Sequence, residues 1–234
     1  MSAPPLRVSD LHAWYGESHV LHGVHCHVNQ GEVVTLLGRN GAGRTTTLRA
    51  LLGLVGRRSG SVLINEQEAI TLPPHRIAHL GVAYCPEERG IYASLSAEEN
   101  LLLPPVVADG GMSVEELYEM FPNLGERRRS QGTRLSGGEQ QMLALARILR
   151  TGARLLLLDE ISEGLAPVIV QALSRTIHKL PECGYTIVLA EQNFRFAAPL
   201  ADRFYIMERG RIVDGFAASE LHSRMTMLHE FLGV

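Results

Sequence analysis

The stretch GRNGAGRTT, residues 38–46, decides the fold of this chain. An apolar run at 33–37 (VVTLL) precedes it and indicates a buried strand, and residues 47–52 (TLRALL) indicate a helix. Strand, glycine-rich turn and helix in this order are the setting of a phosphate-binding loop. Glycine permits a tight turn with positive φ, and the N–H groups of the first helical turn attract an anion. Taken alone, the motif leaves an ordinary glycine-rich turn as the alternative.

One position departs from the phosphate-loop pattern G-x-x-x-x-G-K-[ST], because Arg44 stands where the pattern has Lys. Lys carries a compact point charge, whereas the Arg guanidinium is wider, planar and forked. Since the charge is kept, we expect nucleotide binding to persist with weaker or slower catalysis.

Composition limits the classes of protein. A length of 234 residues fits one large domain or a domain with a subdomain, and 45% apolar residues are ample for a core. The net charge of −3 gives no argument for nucleic-acid binding. The N-terminal residues lack an apolar signal core, and no apolar run approaches the ~18 residues of a membrane span. Any role at a membrane is therefore expected to act through a partner.

The cysteines and histidines show no metal-ligand spacing. Cys26, Cys85 and Cys183 are far apart in sequence, which fits a reduced cytosolic protein without disulfides or zinc. Ten histidines are many for this length. Four of them cluster in the sequence, and we expect solvated or hydrogen-bonded surface side chains there: His19, His22, His25 and His27.

A second candidate anion site lies at LSGGEQQ, residues 135–141, which opens an amphipathic helix through Leu149. Serine followed by two glycines at a helix start presents backbone N–H groups and the positive end of the helix dipole.

Two acids follow the apolar run RLLLL, residues 154–158. The run predicts a buried central strand that delivers Asp159 and Glu160 to the carboxyl edge of a sheet. Asp159 suits a hydrated magnesium ion, and Glu160 suits polarising an attacking water. A helix N-cap is the alternative for two acids after a strand.

Other polar groups follow predicted strands. CPEERG (85–90) comes after the strand at 80–84, a position that suits a functional loop at the sheet edge, although the local residues alone favour a plain surface loop. EQN (191–193) comes after the strand at 186–190. Upstream, Tyr15 is a candidate to stack on adenine, or else a half-buried strand aromatic.

The order of elements predicts an α/β fold with a mostly parallel sheet. Strands at 6–15 and 20–28 form a hairpin, and residues 96–130 form a small helical insertion. A terminal hairpin at 204–208 and 211–214 is followed by a helix at 217–232.

Together these motifs resemble the ATP-binding subunit of an ABC transporter, over nearly the whole chain. The resemblance implies one domain, 1–234, with a P-loop NTPase (RecA-like) core, an N-terminal antiparallel β subdomain and an inserted α-helical subdomain. The core would comprise 1–87 and 146–234, and the helical subdomain 88–145 would carry the signature motif at 135–140.

Within the family, three passages resemble the smaller ATPase subunit of branched-chain amino acid importers. They are PEERG (86–90), SEGLAP (162–167) and EQN (191–193). The related urea and short-amide importers look similar here, so the solute is less certain than the class of protein.

The resemblance also implies a role for each site residue. Tyr15 would stack on adenine, and Glu160 would be the general base. Magnesium would be held by Thr45, Glu87 and Asp159. The phosphates would be held by Gly38, Asn40, Gly41, Gly43, Arg44, Thr45 and Thr46. The γ-phosphate of the nucleotide on the opposite subunit would be bound by Ser136, Gly137 and Gly138.

Several positions differ from the family pattern. Glu87 stands where most relatives carry the glutamine that joins the magnesium shell to the helical subdomain, and it accepts but cannot donate when ionised. Gln192 stands where most carry a γ-phosphate-sensing His, and its amide cannot become a cation. Ile161 replaces the usual proline and Ala166 the usual aspartate. Arg44 and Ile161 are the less expected departures.

The function implied is hydrolysis of ATP with Mg²⁺ at the cytoplasmic face of the inner (plasma) membrane, driving solute import. The implied partners are a second ABC ATPase subunit, two transmembrane permease subunits and, indirectly, an extracytoplasmic solute-binding protein, with no nucleic acid. A weakly or non-catalytic nucleotide-binding partner subunit is the alternative. A soluble ABC protein of DNA repair or translation is a third option. Such a protein would normally show tandem ATPase units, zinc cysteines or a long coiled coil, and the sequence shows none of these.

Overall fold

The computed structural model describes residues 3–232, whose strands form one sheet of four strands and one of six. The strands are β1 (Leu6–Tyr15), β2 (Ser18–Val28), β3 (Val33–Leu37), β4 (Arg57–Ile64), β5 (Gln67–Glu68), β6 (Val82–Cys85), β7 (Leu155–Asp159), β8 (Thr186–Glu191), β9 (Arg203–Glu208) and β10 (Arg211–Ala217). The helices are α1 (Arg44–Leu51), α2 (Pro74–Ala78), α3 (Ala97–Leu102), α4 (Val114–Met120), α5 (Pro122–Glu126), α6 (Gly137–Arg150), α7 (Pro167–Lys179), α8 (Phe194–Ala197) and α9 (Leu221–Leu232).

The larger sheet has the strand order β10-β9-β3-β8-β7-β6, and only β10 runs antiparallel to its neighbour. Strands β3, β7 and β8 are buried along their whole length, as expected for parallel strands covered on both faces. Alternate side chains serve two cores. Leu156 and Leu158 join the core formed with α6, α7 and α9, whereas Leu155 and Leu157 join the core formed with α1 and the smaller sheet.

The smaller sheet is antiparallel, in the order β2-β1-β4-β5. Its inner face packs on α1 through Leu11, Leu21 and Leu48, each fully buried. The register between β1 and β2 shifts at several points, the first between Val8 and Leu11. Such bulges redirect side chains on the outer face of a sheet.

The predicted α/β fold with a mostly parallel sheet is confirmed, and so is the antiparallel N-terminal part. The predicted helical insertion at 96–130 contains α3, α4 and α5. Three helices begin at a serine whose side chain and a glutamate form a capping box, at Ser96, Ser113 and Ser136. Each box satisfies backbone N–H groups that the first helical turn leaves free.

Some predicted boundaries were wrong. The last strand extends to Ala217, because Ala217 pairs with Arg203 of β9. The N–H of Ala218 then donates to the Asp202 carbonyl, and a single 3-10 turn at 218–220 separates the strand from α9. The terminal helix therefore starts at Leu221 rather than at 217. Within residues 3–232, no helix has both the length and the apolar character needed to span a bilayer.

Candidate functional site

The loop at 38–46 connects the buried strand β3 to α1, as the sequence predicts. A Cβ on Gly38 would lie 2.5 Å from the Met207 carbonyl oxygen and 2.8 Å from Cβ of Ala42, so only glycine fits there. Gly43 caps α1 with φ 107°, a left-handed conformation that favours glycine. The first turn of α1 thus presents its N–H groups at the end of β3, where an anion can approach.

Arg44 points into the protein and pairs with Glu160. The guanidinium is 3% exposed and forms an ion pair with the Glu160 carboxylate, and its Nη2 also donates to Asn40 Oδ1 at 3.4 Å. Among residues 3–232, Nε and Nη1 of Arg44 find no hydrogen-bond partner. Buried N–H groups of a cation without acceptors are costly, so phosphate oxygens are suitable partners for them.

Asp159 ends β7 fully buried between two hydroxyl groups. Thr45 Oγ1 donates to Asp159 Oδ1 at 3.0 Å, and Tyr84 Oη donates to Asp159 Oδ2 at 2.8 Å. Burial raises the pKa of Asp159, and these two hydrogen bonds oppose that rise. A hydroxyl and a carboxylate oxygen are ligands that suit Mg²⁺. The structure therefore brings together two of the three predicted metal ligands.

Three further carboxylates lie beside Thr45 and Asp159. Ligand oxygens of Glu87, Glu160 and Glu163 lie within 4.8 Å of one another. Burial raises the pKa of Glu160, but the hydrogen bond with Glu163 and the Arg44 guanidinium outweigh it, and the net pKa is lowered. The pKa of Glu163 is raised, first by that hydrogen bond. A divalent cation near these acids would offset their mutual repulsion.

Glu163 was not among the predicted site residues. It lies three residues after Glu160 and its N–H donates to the Glu160 carbonyl at 3.2 Å. The signal was present in SEGLAP (162–167), the passage that carries the family resemblance, but the sequence does not show that the loop folds back onto Glu160.

A cavity of about 850 Å³ opens next to Glu160 and is lined also by Glu163, Glu191 and Gln192. Gln192 is exposed and follows β8, so it shares this cavity with the predicted base. Glu191 is 2% exposed and accepts from Ser162 N at 3.1 Å and Ser162 Oγ at 3.0 Å. In the sequence, Glu191 stands out only as part of the passage EQN (191–193), which gives no signal for its contact with Ser162.

The second predicted anion site lies at the start of α6. Glu139 N donates to Ser136 Oγ at 3.3 Å, and Ser136 N donates to Glu139 Oε2 at 2.7 Å. Gly138 packs on α7, where a Cβ would lie 2.7 Å from Ile169 Cγ1. Within residues 3–232, no hydrogen bond or ion pair joins residues 136–138 to residues 38–46. The two candidate anion sites of one chain are thus not brought together.

Tyr15 ends β1 with 44% of its surface exposed, so its side chain is accessible to a ligand. Arg49 of α1 lies beside Tyr15. Its pKa is raised first by a hydrogen bond with Tyr84, and a hydrogen bond with Tyr15 also contributes to the rise. Of the other predicted loop residues, Asn40 and Gly41 lie between β3 and α1, and Thr46 lies in the first turn of α1.

Comparison with known proteins gives a family model and close relatives. The model described as ABC transporter matches residues 21–163. The high-affinity branched-chain amino acid transport ATP-binding protein BraG of Pseudomonas aeruginosa is 39% identical, over 97% of this chain and 99% of that protein. A probable branched-chain amino acid transport ATP-binding protein, LivF of Archaeoglobus fulgidus, is 34% identical over 92% and 93%. The lipopolysaccharide export system ATP-binding protein LptB of Escherichia coli is 32% identical over 97% of each chain.

Solved structures give the same fold. A nucleotide-free ATP-binding cassette from an ABC transporter superposes with a TM-score of 0.85 and 20% identity, over 99% of both chains. An ATP-binding cassette solved as a dimer in a post-hydrolysis state, bound to ADP and Pi, superposes with a TM-score of 0.79 and 22% identity, over 91% of this chain and 98% of that one.

Proposed function

Since this chain belongs to the ABC transporter family, as an ATP-binding and ATP-hydrolysing subunit, we propose that it energises the import of branched-chain or other hydrophobic amino acids. The observation that carries the catalytic part is the meeting of Thr45, Asp159 and Glu160 beside the phosphate loop. The names of the 39% and 34% identical relatives support the class of solute.

In the proposed nucleotide site, β1 binds the adenine and the phosphate loop binds the phosphates. Tyr15 stacks on adenine, and the phosphates lie on the N-terminus of α1 with Arg44 as their cation. The residues that hold the phosphates are Gly38, Asn40, Gly41, Gly43, Arg44, Thr45 and Thr46. Thr45, Asp159 and Glu87 would hold magnesium. When bound there, magnesium would supply positive charge against the phosphates.

Glu160 is the proposed general base. Glu160 forms an ion pair with Arg44. A phosphate that binds the Arg44 guanidinium therefore releases the Glu160 carboxylate, which can then accept a proton from the attacking water. Gln192, on the same cavity, is placed to donate its amide to the γ-phosphate.

We propose that a second ATPase subunit completes each site. Residues 136–138 form an anion site that is not joined to the phosphate loop of their own chain. In a dimer, Ser136, Gly137 and Gly138 of one subunit bind the γ-phosphate held by the other. ATP then favours the closed pair because it binds that state better, and a cassette of the same fold has been solved as a dimer.

An apolar groove of about 560 Å³ supports the proposal that a membrane-embedded partner binds this chain. It lies between the core and the inserted helices, and its lining includes Leu54, Tyr92 and Leu103, which are 51%, 55% and 47% exposed. Large exposed apolar side chains in one groove mark an interaction site. We assign it to an amphipathic helix of the transmembrane permease. The helical subdomain, 88–145, would transmit closure from the core, 1–87 and 146–234.

This assignment places the chain at the cytoplasmic face of the inner membrane, bound to two permease subunits. The extracytoplasmic solute-binding protein acts on it only indirectly. A second candidate is a weakly catalytic nucleotide-binding subunit of the same transporter, which the Arg44–Glu160 ion pair favours. An importer of urea or short amides is the alternative for the solute.

The complex with its permeases, reconstituted in vesicles, tests the proposal. We expect ATP-driven uptake of labelled leucine or isoleucine that needs Mg²⁺ and the solute-binding protein. Uptake of urea instead of leucine would change the proposed solute but would leave the protein an ATPase subunit of an ABC importer. Vesicles that hydrolyse ATP yet take up neither solute would overturn the import proposal. Unchanged uptake with Glu160→Gln in this chain would show that its partner subunit hydrolyses the ATP.

A further inference from the structure

Histidines from two strands converge on the outer face of the smaller sheet, near the hairpin end of β1 and β2. In the register, His12 lies opposite His22 and Trp14 lies opposite His19. Opposite residues in an antiparallel pair have Cβ atoms about 5 Å apart. The linear spacing of the histidines gives no metal motif because the convergence depends on strand pairing.

His12 is bound at both ring nitrogens. Its Nδ1 lies 3.0 Å from His19 Nε2, and its Nε2 lies 3.2 Å from Asp10 Oδ1. A carboxylate only accepts, so Nε2 of His12 carries the proton and Nδ1 of the neutral ring has the free lone pair. Histidines that ligate metals characteristically donate their other ring N–H to a carboxylate.

The backbone places Asp10 for this contact. Asp10 lies in the bulge of β1 with φ 51°, and its N–H donates to His25 Nδ1 at 3.3 Å. Gly23 of β2 faces it, where a Cβ would lie 3.0 Å from Asp10 Oδ1. A larger side chain at 23 would crowd the carboxylate that orients His12.

A third imidazole, His22, packs against His19, but within residues 3–232 the ring nitrogens of His12, His19 and His22 do not all lie within 4.8 Å of one another. The ring centroid of His22 is 4.1 Å from that of His19, in an edge-on arrangement. A neutral imidazole can ligate a metal, whereas an imidazolium cannot.

We propose that His12 Nδ1 and His19 Nε2 are the protein ligands of a binding site for a divalent transition metal such as Zn²⁺ or Cu²⁺, with solvent in the remaining coordination positions. Two imidazole nitrogens on a tetrahedral Zn²⁺, each about 2.0–2.1 Å from the metal, lie about 3.3 Å apart. The His12 Nδ1 to His19 Nε2 distance of 3.0 Å needs little adjustment to reach this value. The metal takes the place of the proton that His19 Nε2 donates to His12 Nδ1, and that proton moves to Nδ1 of His19.

The ligand chemistry sets the selectivity. Imidazole suits Zn²⁺, Cu²⁺ and Ni²⁺, whereas Mg²⁺ prefers oxygen. Arg57 stacks on Trp14 at 4.4 Å from the ring centroid, and Arg211 lies near His22. These two cations oppose binding by charge alone, so coordination by nitrogen must provide the affinity. The site is separate from the acids around Glu160 and does not depend on the proposed transport function.

The test is titration of tag-free, full-length protein with Zn²⁺ by calorimetry. Cys183 is exposed, so the Cys183→Ser background removes a competing thiol, and excess Mg²⁺ occupies the carboxylate cluster. We expect one Zn²⁺ per chain, loss of binding in His12→Ala and His19→Ala, and about a tenfold weaker affinity in Asp10→Asn. The exposed His75 and His79 on α2 and its C-terminal end give control variants, His75→Ala and His79→Ala, with unchanged affinity.

A second readout identifies the ligands. The electron paramagnetic resonance spectrum of the Cu²⁺ form should show coupling to imidazole nitrogens that is lost in His19→Ala. Because His19 is exposed, this variant retains the fold even if His12→Ala does not. Zn²⁺ binding that is unchanged in His19→Ala, or absent in the starting protein, would overturn the proposal.

Discussion

The guanidinium of Arg44 and the carboxylate of Glu160 form an ion pair that is almost enclosed by protein, with side chains 3% and 11% exposed. The two residues are 116 positions apart in sequence and stand at the starts of α1 and of the loop after β7. The pair links the proposed phosphate-binding cation to the proposed base. Under that proposal, ATP competes with Glu160 for the guanidinium before the carboxylate accepts a proton.

Replacing Arg44 with Lys is expected to raise kcat for Mg²⁺-dependent ATP hydrolysis about tenfold. A charge-assisted hydrogen bond contributes about 1.5–3 kcal/mol, and releasing half of that from Glu160 corresponds to about one order of magnitude in rate. Lys offers a point charge without the planar fork that holds the carboxylate. Phosphate release under saturating ATP measures the effect.

Arg224→Lys, on α9 and paired with Asp214 at 3.1 Å, is the control for a general effect of the exchange. An unchanged or lower rate in Arg44→Lys would show that the site is adapted to the guanidinium.

Glu160→Gln should lower the rate of hydrolysis at least about a hundredfold, the usual contribution of a general base. The amide keeps the shape of the side chain but cannot accept the proton of water. ATP affinity should persist, as measured by equilibrium binding of a fluorescent analogue. Glu182→Gln, at an exposed position before β8, is the matched control. Full activity in Glu160→Gln would remove the base assignment.

The sequence predicts the elements that carry local signals. The glycines of 38–46, the apolar run before Asp159 and the Ser136 cap each define their own structure from neighbouring residues. The Arg44–Glu160 pair, the Glu163 contact and the burial of Glu191 could not be predicted, because each depends on how loops from separate strands meet. The convergence of His12 and His19 was missed for a similar reason, since the register shifts between β1 and β2 decide it.

Ser136→Ala should lower the free energy of unfolding by about 1 kcal/mol, the usual cost of losing a helix N-cap, and should also reduce ATP hydrolysis by the assembled transporter. The hydroxyl caps α6 and also belongs to the proposed site for the partner's nucleotide. Ser113→Ala removes an equivalent capping box from α4. It should cost similar stability, measured by urea denaturation, with the hydrolysis rate unchanged. Equal hydrolysis in the two variants would contradict the role of Ser136 in the shared site.

Glu191 should make stability depend on pH. Burial raises its pKa from 4.5 to about 7, against the hydrogen bonds from Ser162. A carboxyl whose pKa is higher in the folded state favours folding fully below its unfolded pKa, and that contribution is lost as pH rises through about 7. The loss is of the order of 3 kcal/mol, at 1.36 kcal/mol for each unit of pKa.

Glu191→Gln should abolish this dependence, because the amide is neutral at every pH and can both accept from Ser162 N and donate to Ser162 Oγ. We expect the variant to gain stability relative to the parent as pH rises from about 5 to about 8, measured as urea midpoints at several pH values. Glu182→Gln should follow the parent, since Glu182 is exposed. A difference between Glu191→Gln and the parent that stays constant with pH would mean that Glu191 is ionised in the folded protein, and that Ser162 is held by a buried charge rather than by a neutral acid.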